Sequence, residues 1–507
     1  MTGAYPDATT RRFITGSVMA ATVMNSLDST IANVALPHMQ GSVAASADQI
    51  TWVLTSYIVA AAIFTPLTGW LAGRFGRKRL MLWSIVGFTI ASGLCGIATS
   101  LGELVGFRLL QGVFGAALVP MSQAILLDIN PPERHGPAMS VWGMGAILGP
   151  IIGPALGGWL TDNYNWRWVF FINLPIGALA FAGLWFFLSE SKAAEKVKLD
   201  LFGFATLALG IASLQVMLDR GQQLDWFSSL EIWIEAISAG FFFYLFLVHT
   251  ITARRPFIQL ALFADRNFVS ASIFGFFLGV LIFAVLALLP PMLEELMGYP
   301  VVLTGLVTAP RGVGTMISMI LVGRLIKKVD PRILIGTGLA LAAWSTWRMS
   351  GFSLGMDSSL VISSGLVQGI GTGLIFVPLS TVAFATLNPQ LRNEGAAMFT
   401  LIRNIGSAIG ISVLQFMTIR NGSTVHSRLV EGVRPDNPAL TRAMPDLDFS
   451  SIADLAHLNG QITRQAAMVS YIDAFHALFV VTLIVAPLIL LMRPPAKNVA
   501  APAMHMD

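Results

Sequence analysis

Apolar residues in this chain gather into fourteen long segments, and little polar sequence separates one segment from the next. Each segment approaches the ~20 residues that a helix needs to cross a ~30 Å hydrocarbon layer. Most are apolar around the whole circumference, as helices surrounded by lipid must be. The pattern therefore predicts an all-α membrane protein with fourteen spanning helices, at residues 12–36, 50–72, 79–99, 104–127, 138–160, 168–188, 200–218, 229–251, 268–290, 303–322, 332–350, 359–382, 395–418 and 472–493.

Composition and charge agree with a chain that lies almost entirely within a bilayer. Of its 507 residues, 55% are hydrophobic and only 11% are charged, and only 421–470 is long enough to form a small extramembrane element. With the N-terminus placed inside, most Lys and Arg residues fall on inner loops, so the positive-inside rule predicts that both termini are cytoplasmic. The net charge of +4 is not gathered into a patch, so no nucleic-acid partner is expected.

Signals for other classes of protein are weak. Cys95 is the single cysteine, so no internal disulfide is possible. Residues 12–36 follow Arg11 and Arg12 but are too long for a signal-peptide core, and we interpret them as a retained first helix. The sequence has no phosphate-binding loop, no nucleophile elbow and no Cys/His cluster with metal spacing. We therefore expect neither an enzyme nor a bound metal or cofactor.

The fourth and twelfth segments repeat one another. Four short strings recur in the same order and at nearly constant spacing, first at 109–112, 119–122, 130–131 and 136–139, then at 366–369, 377–380, 388–389 and 395–398. Both copies would begin outside and end inside, which predicts two parallel halves around a midplane site, as in secondary transporters. The predicted halves are 1–190 and 267–493, with 199–251 as an inserted pair of helices. Repeated glycine packing without transport is the alternative.

The fifth segment carries four glycines at a spacing of four residues, which places them on one face of a helix. A face without side chains lets a neighbouring helix approach to backbone contact, and prolines among the glycines remove helical hydrogen bonds and favour bending. We expect this face to pack at the interface between the two halves and to move there; a static packing face is the alternative. The residues of this gating motif are Gly145, Gly149, Pro150, Gly153, Pro154, Gly157 and Gly158.

Several ionisable residues fall within the predicted spans, where a charge costs roughly 2.5–3.5 kcal/mol at a helix centre and needs a partner or a function. Asp28, among polar neighbours, is the candidate site for the coupling proton and for a substrate; an acid held ionised by an arginine is the alternative. Arg108 is matched by Gly365 in the second copy, so we expect the proton machinery in the first half, with interfacial snorkelling as the alternative.

Two further residues are candidate substrate ligands. They are Asn33, in the first segment, and Arg311, in the tenth. Arg311 would be a counter-ion for an anionic substrate or for Asp28; a structural ion pair is the alternative. Other charged or polar residues within the predicted spans are Glu235, Arg403, Asp473 and His476.

Two stretches of the sequence resemble motifs of the major facilitator superfamily. Residues 145–158 resemble its antiporter motif, which marks exporters rather than importers. Residues 69–79 resemble its inner-gate motif; physically they form a glycine turn beside cations at the inner surface, and topology-setting charge is the alternative. Gly73 stands where the family usually has an acid, so no ion pair is expected from that position. The inner-gate residues are Gly69, Arg74, Gly76 and Arg77.

Three more strings, at 27–37, 165–177 and 218–227, resemble the fourteen-helix EmrB-like branch over nearly the whole chain. The resemblance implies a proton-coupled multidrug efflux transporter of the bacterial inner membrane, exporting amphipathic or hydrophobic compounds by alternating access. It also implies a periplasmic adaptor and an outer-membrane channel as partners, with docking near 421–470. A dedicated exporter of one metabolite or siderophore is one alternative, and a non-transporting receptor or scaffold is another.

Overall fold

Helices form at all fourteen predicted segments in the computed structural model, which describes residues 5–190, 198–326, 328–445 and 447–492. No β-strand occurs within these ranges. Residues 1–4 of the predicted first half and residues 327, 446 and 493 of the predicted second half lie outside them. The helices are α1 Ala8–Ser42, α2 Trp52–Phe64 with Leu67–Phe75, α3 Arg77–Ile97, α4 Leu101–Asp128, α5 His135–Asn163, α6 Trp168–Phe187, α7 Leu201–Arg220, α8 Leu230–Thr252, α9 Arg266–Pro291, α10 Val301–Leu325, α11 Pro331–Met349, α12 Ser358–Ala385, α13 Arg392–Glu431 and α14 Ile452–Val485.

Seven of these helices begin at a side chain that accepts a hydrogen bond from an otherwise unpaired backbone N–H group. Before α1, for example, Asp7 Oδ2 accepts from Thr9 N at 3.0 Å. Such a cap stabilises a helix by about 1 kcal/mol. The other capping residues are Ser100, Asp200, Asp265, Asp330, Asp357 and Ser451, before α4, α7, α9, α11, α12 and α14.

Eleven helices in the described ranges are long and apolar enough to cross a membrane, or twelve if the two parts of α2, bent by 57°, are one span. The two that fall short are α1 and α11. Helix α1 carries a stripe of polar residues around Asp28, and α11 carries Arg332 and Arg348, so each has a lower mean hydropathy than its neighbours. The predicted all-helical class is confirmed, whereas the count of fourteen spans stays a prediction.

The helices of the two predicted halves pack in the same pattern. In the first half, α1 packs against α5, α4 packs against both α2 and α3, and α3 also packs against α6. In the second half, α9 packs against α13, α12 packs against both α10 and α11, and α11 also packs against α14. The match extends to single glycines. A Cβ on Gly112 would meet Tyr57 O at 2.5 Å, and a Cβ on its repeat partner Gly369 would meet Arg311 O at 1.8 Å. Arg311 therefore occupies the place in the second half that Tyr57 occupies in the first.

Helix α5 lies against the second half along most of its length. A Cβ on Gly136 would meet Ile326 Cγ2 at 2.4 Å, and at the far end of α10 a Cβ on Gly305 would meet Ala155 Cβ at 3.5 Å. A second contact between the halves joins Leu67–Phe75 of α2 to α13. We call the end of the bundle at which α1 begins, predicted to be cytoplasmic, the inner end.

The inserted pair α7–α8 is joined to both halves near its outer end. Thr55 of α2 donates a hydrogen bond to Asp219 of α7. On the other side, Ser412 Oγ of α13 donates to Leu218 O at 2.9 Å, and the ring of Trp226 lies 5.5 Å from that of Phe416. The pair therefore sits beside the seam between α2 and α13 and is not a separate appendage.

The segment 421–470, predicted as a long loop, is mostly helical. Helix α13 continues to Glu431 and α14 already begins at Ile452, so only 432–451 separates them, and it includes a short helix at Pro438–Ala443. At 1.5 Å per residue, these extensions reach roughly 20–30 Å beyond the predicted spans. His426 Nε2 and Asn459 Oδ1 lie 3.0 Å apart and join the two extensions. We call this projecting element, residues 419–471, the outer hairpin.

Candidate functional site

Asp28 lies at the centre of a fully buried polar cluster in the first half. Arg108 Nη1 of α4 donates to Asp28 Oδ2 at 2.6 Å, while Gln111 Nε2 of α4 and Asn173 Nδ2 of α6 donate to Asp28 Oδ1 at 2.8 and 2.9 Å. Both side chains of the ion pair are at most 1% exposed. Three helices, α1, α4 and α6, therefore meet at one carboxylate.

The guanidinium of Arg108 is held by more than the ion pair. Its Nε donates to Val53 O of α2 at 3.1 Å, and its Nη1 also donates to Gln111 Oε1 at 2.8 Å. Its Cζ lies 4.3 Å from the ring centroid of Tyr57, so an aromatic face covers the cation. Such cation–π contacts contribute about 2 kcal/mol when desolvated.

A further layer of polar groups orients the ligands of Asp28. Asn173 Nδ2 also donates to Ser92 Oγ of α3 at 3.0 Å, and Ser92 Oγ donates to Phe170 O at 2.8 Å. Tyr57 Oη donates to Asn25 Oδ1 on α1 at 3.1 Å. Buried polar networks of this kind fix geometry because an unpaired member costs free energy.

Removing one member of a buried ion pair is expensive, typically about 3–5 kcal/mol, because the remaining charge has no partner. Removing either Asp28 or Arg108 alone would therefore destabilise the folded protein. The Asp28 side chain is at 0% exposure, so its carboxylate has no contact with solvent in this arrangement of the helices.

The structure brings together only some of the residues that the sequence singled out. Asp28 and Arg108 are in contact, but Asn33 is exposed and lies beyond the cluster along α1. The suggestion that Arg311 is a counter-ion for Asp28 is wrong, because Arg311 Nη2 donates to Ile282 O of α9 at 2.8 Å and Asp28 is satisfied by α4 and α6. Sequence reasoning missed Gln111, although it belongs to the repeated string 109–112.

Asn173, Ser92 and Cys95 were missed because polar residues in an apolar span give no periodic signal. All three are fully buried. Asn173 contacts Asp28, Ser92 contacts Asn173, and Cys95 Sγ lies 3.7 Å from Gln111 Oε1. The string 165–177 contains Asn173, but only the fold shows that this amide reaches the first helix.

The glycine face of α5 packs against α1 of the same half, so the expectation that it lies at the interface between the halves is wrong. A Cβ on Gly149 would lie 2.3 Å from the carbonyl carbon of Ser26, and one on Gly153 would lie 2.3 Å from Thr30 Oγ1. Gly145 and Gly157 face Met19 and Ile31 of α1 in the same way. The four-residue spacing matches one helix stripe, and α1 is the helix that fills it.

The other residues of the motif, Pro150, Pro154 and Gly158, also lie in α5, and the helix is not interrupted at either proline. Thr30 Oγ1 donates to Gly149 O at 3.3 Å, so α1 also forms a polar contact with the backbone of this stretch. The gating role of the motif stays a prediction.

The inner-gate loop forms an ion-paired contact between α3, α4 and α13. Gly76 has φ 87°, a left-handed conformation that favours glycine, and it ends α2. The next residue, Arg77, forms an ion pair with Asp128 at the inner end of α4, and Arg392 Nη1 of α13 lies 3.8 Å from the other oxygen of Asp128. Gly73, where the family usually has an acid, cannot form an ion pair, and the acid in the described contact is Asp128.

The other two residues of the loop have different surroundings. A Cβ on Gly69 would lie 2.9 Å from Glu394 Cα, so this glycine permits the approach of α13. Arg74 is exposed, with its guanidinium 5.8 Å from the ring of Trp70.

The remaining charged or polar residues of the spans do not join the cluster. Glu235 is half-buried on α8, and its Oε2 has no hydrogen-bond partner in the described part of the chain. Asp473 is half-buried and His476 is exposed on α14, with the His476 ring 5.9 Å from that of Phe479. Arg403 of α13 has its guanidinium 5.8 Å from the Phe376 ring.

An all-helical membrane protein with two similarly packed sets of helices, and a buried acid–cation pair in one of them, has the plan of a secondary transporter. A model of the Major Facilitator Superfamily matches residues 18–411. The chain belongs to the major facilitator superfamily and, within it, to the EmrB-like transporters.

Two relatives support this assignment, and one solved structure supports the fold. The multidrug export protein EmrB of Escherichia coli (strain K12) is 37% identical over 487 residues, covering 95% of each chain. The fatty acid resistance protein FarB of Neisseria gonorrhoeae is 35% identical over 488 residues, covering 95% of this chain and 96% of its own. A crystal structure of the human organic anion transporter MFSD10 has a TM-score of 0.58 at 16% identity, covering 93% of this chain and 99% of its own, which supports the fold alone.

Proposed function

We propose that this protein is a proton-coupled exporter of amphipathic or hydrophobic drugs in the inner membrane of a bacterium, and not an enzyme. The names of the relatives, a multidrug export protein and a fatty acid resistance protein, support export of amphiphilic small molecules. The observation that carries the proton coupling is the buried contact of Asp28 with Arg108, Gln111 and Asn173.

Asp28 suits a coupling role because its protonation changes the forces that hold three helices together. The ionised carboxylate accepts all three N–H donors, and its charge compensates Arg108. A protonated carboxyl would compensate no charge and would accept fewer hydrogen bonds. Proton binding therefore loosens α1 from α4 and α6, and proton release restores the contact.

Helix α5 connects that change to the second half. One face of α5 touches the α1 backbone next to Asp28, at Ser26, while another face packs against α10. A shift of α1 would therefore move α5 and, through it, the contact between the halves. The inner-end contacts of Asp128 with Arg77 and Arg392 would break when the inner end opens.

We further propose that both termini are cytoplasmic and that the outer hairpin lies on the periplasmic side. Its extensions carry exposed apolar side chains, including Leu429, Ile452 and Leu455. An exposed hairpin of this kind would offer docking surface to a periplasmic adaptor, which would connect the exporter to an outer-membrane channel.

The experiment measures drug efflux from proteoliposomes under an imposed pH gradient, with Asp28→Asn compared to Asp473→Asn. Asp28→Asn should retain binding of an uncharged drug but lose gradient-driven efflux, whereas Asp473→Asn, half-buried on α14, is the matched control and should keep it. Unimpaired efflux by Asp28→Asn would refute the proposed coupling site, and loss in Asp473→Asn alone would move that site to the second half.

Asp28→Asn also leaves the buried Arg108 charge unpaired, which costs about 3–5 kcal/mol. The double variant Asp28→Asn/Arg108→Gln removes both charges and should recover most of the lost thermal stability. If the double variant folds well and still fails to couple, misfolding is excluded as the cause.

A further inference from the structure

The outer part of helix α2 lies between the Asp28 cluster and the inserted pair of helices. It packs against α4 on one side and against α7 on the other. The carbonyl of Val53 and the ring of Tyr57 both contact the guanidinium of Arg108. Thr55 stands between these two residues, and at about 3.6 residues per turn its side chain leaves α2 on roughly the opposite side from that of Tyr57. One short segment of α2 therefore touches the buried cation and the inserted pair at once.

Two consecutive residues of α7 contact this segment. Thr55 is buried and donates a hydrogen bond to the carboxylate of Asp219. Its Oγ1 also lies 3.2 Å from Thr51 O, but the hydroxyl has one proton, and hydrogen bonds to a charged acceptor are the stronger ones. The guanidinium of Arg220 lies 5.6 Å from the ring centroid of Trp52, at the start of α2. The outer end of α7 thus holds the outer end of α2.

The outer end of α7 is itself fixed on two sides. The residue before Asp219, Leu218, accepts a hydrogen bond from Ser412 Oγ of α13 at 2.9 Å. The residue after it, Arg220, forms an ion pair with Glu231 of α8. Asp219 is therefore placed between a bond to the second half and a bond within the inserted pair. From this position it restrains α2 against movement away from α7.

We propose that Asp219 is a positioning residue for the Asp28 cluster and acts on it through α2. By fixing Thr55, Asp219 fixes the segment of α2 that contacts Arg108. Separation of Arg108 from Asp28 then requires α2 to leave α7, so the inserted pair stabilises the closed form of the cluster. This inference rests on the proposed function and gives the inserted pair a part in it.

The native Cys95 offers a reading of the cluster that does not depend on transport. Its thiol is fully buried and lies 3.7 Å from Oε1 of Gln111, the amide that also bonds Asp28 and Arg108. It is the single cysteine of the chain. The rate at which N-ethylmaleimide labels the purified protein in detergent therefore measures how readily the cluster opens.

The test removes the contact between α2 and α7 from either side. Thr55→Val replaces the hydroxyl by a methyl group, and Asp219→Ala removes the carboxylate. Each should speed the labelling of Cys95 about tenfold, because a hydrogen bond to a charged acceptor no longer opposes opening. The double variant should label no faster than either single variant, since all three lose the same contact.

Conservative and control variants separate this contact from general damage. Thr55→Ser keeps a hydroxyl and Asp219→Asn keeps an acceptor, so both should label nearly as slowly as wild type. Asp162→Ala, which removes an exposed carboxylate at the outer end of α5, should label as wild type. Gly210→Ala should also label slowly, because its Cβ would press on the Phe243 ring of α8 at 3.1 Å and not on α2.

Unchanged labelling in Thr55→Val and Asp219→Ala, or equal acceleration in Gly210→Ala, would overturn the inference. Efflux from proteoliposomes assesses the proposed function separately: gradient-driven efflux by wild type supports that function, and its absence counts against it while leaving the labelling result intact. In active protein, Asp219→Ala should reduce gradient-driven efflux about tenfold and Asp219→Asn should restore most of it. Full efflux by Asp219→Ala would remove Asp219 from the positioning role.

Discussion

Replacing Gly149 should separate α1 from α5 and disrupt the Asp28 cluster, although Gly149 touches none of its members. A Cβ at Gly149 would lie 2.3 Å from Ser26 C and 2.4 Å from Leu27 N, whereas ordinary contacts begin at 3.4 Å. Both atoms belong to the backbone of a helix and cannot rotate away. The two helices must therefore move apart by about 1 Å, because packed interiors have no spare volume.

A displacement of that size is enough to break hydrogen bonds. The hydrogen bonds to Asp28 from Arg108, Gln111 and Asn173 are 2.6–2.9 Å long. Moving α1 by about 1 Å would stretch the bonds that point along this movement beyond the ~3.2 Å limit of a hydrogen bond. Overpacking of this kind costs about 1–3 kcal/mol for alanine and more for valine.

The assay follows thermal unfolding in detergent together with efflux from proteoliposomes. Gly149→Ala should lower the unfolding midpoint and reduce gradient-driven efflux about tenfold, which corresponds to roughly 1.4 kcal/mol, and Gly149→Val should abolish efflux while the protein still inserts into the membrane. Gly16→Ala on α1, where a Cβ meets nothing within 4 Å, is the control and should behave as wild type. Wild-type stability and efflux in Gly149→Val would refute the close α1–α5 contact.

Two further predictions concern the ends of the bundle. Asp128→Asn removes the charged partner of Arg77 and Arg392. Chemical labelling of single cysteines placed at the inner end should therefore become faster. An unchanged labelling rate would show that these ion pairs do not hold the inner end closed. Deleting 432–451 and joining the helices of the outer hairpin by a short glycine linker should spare drug binding by the isolated protein but lower resistance in cells; equal loss of binding would assign the hairpin to the transport unit itself.

Much of the fold could be predicted from the sequence because the bilayer requires it. Long apolar segments must be helical in lipid, since every backbone N–H and C=O must find an internal partner. The repeated strings indicated the matched packing of α4 and α12. Predicted ends failed at 421–470 because the criterion was hydropathy. Helix α13 continues as a polar helix after residue 418, and α14 begins as a polar helix before residue 472.

The candidate site was only partly predictable, for a geometric reason. A charge in an apolar span is conspicuous, so Asp28 and Arg108 could be found from their cost alone. Their neutral partners, Gln111 and Asn173, carry no such cost signal. The orientation of the glycine face was also beyond the sequence: spacing shows that four glycines share a stripe, but not which of several neighbouring helices fills it.

The geometry around Asp28 supports the proposed link between proton binding and helix movement. Three N–H donors point at the two carboxylate oxygens, and the nearby Gln111 Oε1 already accepts a hydrogen bond from Arg108. A proton added to either oxygen would face at least one of these donors, and Arg108 would lose its compensating charge at the same time. Both side chains of the ion pair are at most 1% exposed. These contacts are the basis on which we propose that opening of the cluster accompanies proton uptake at Asp28.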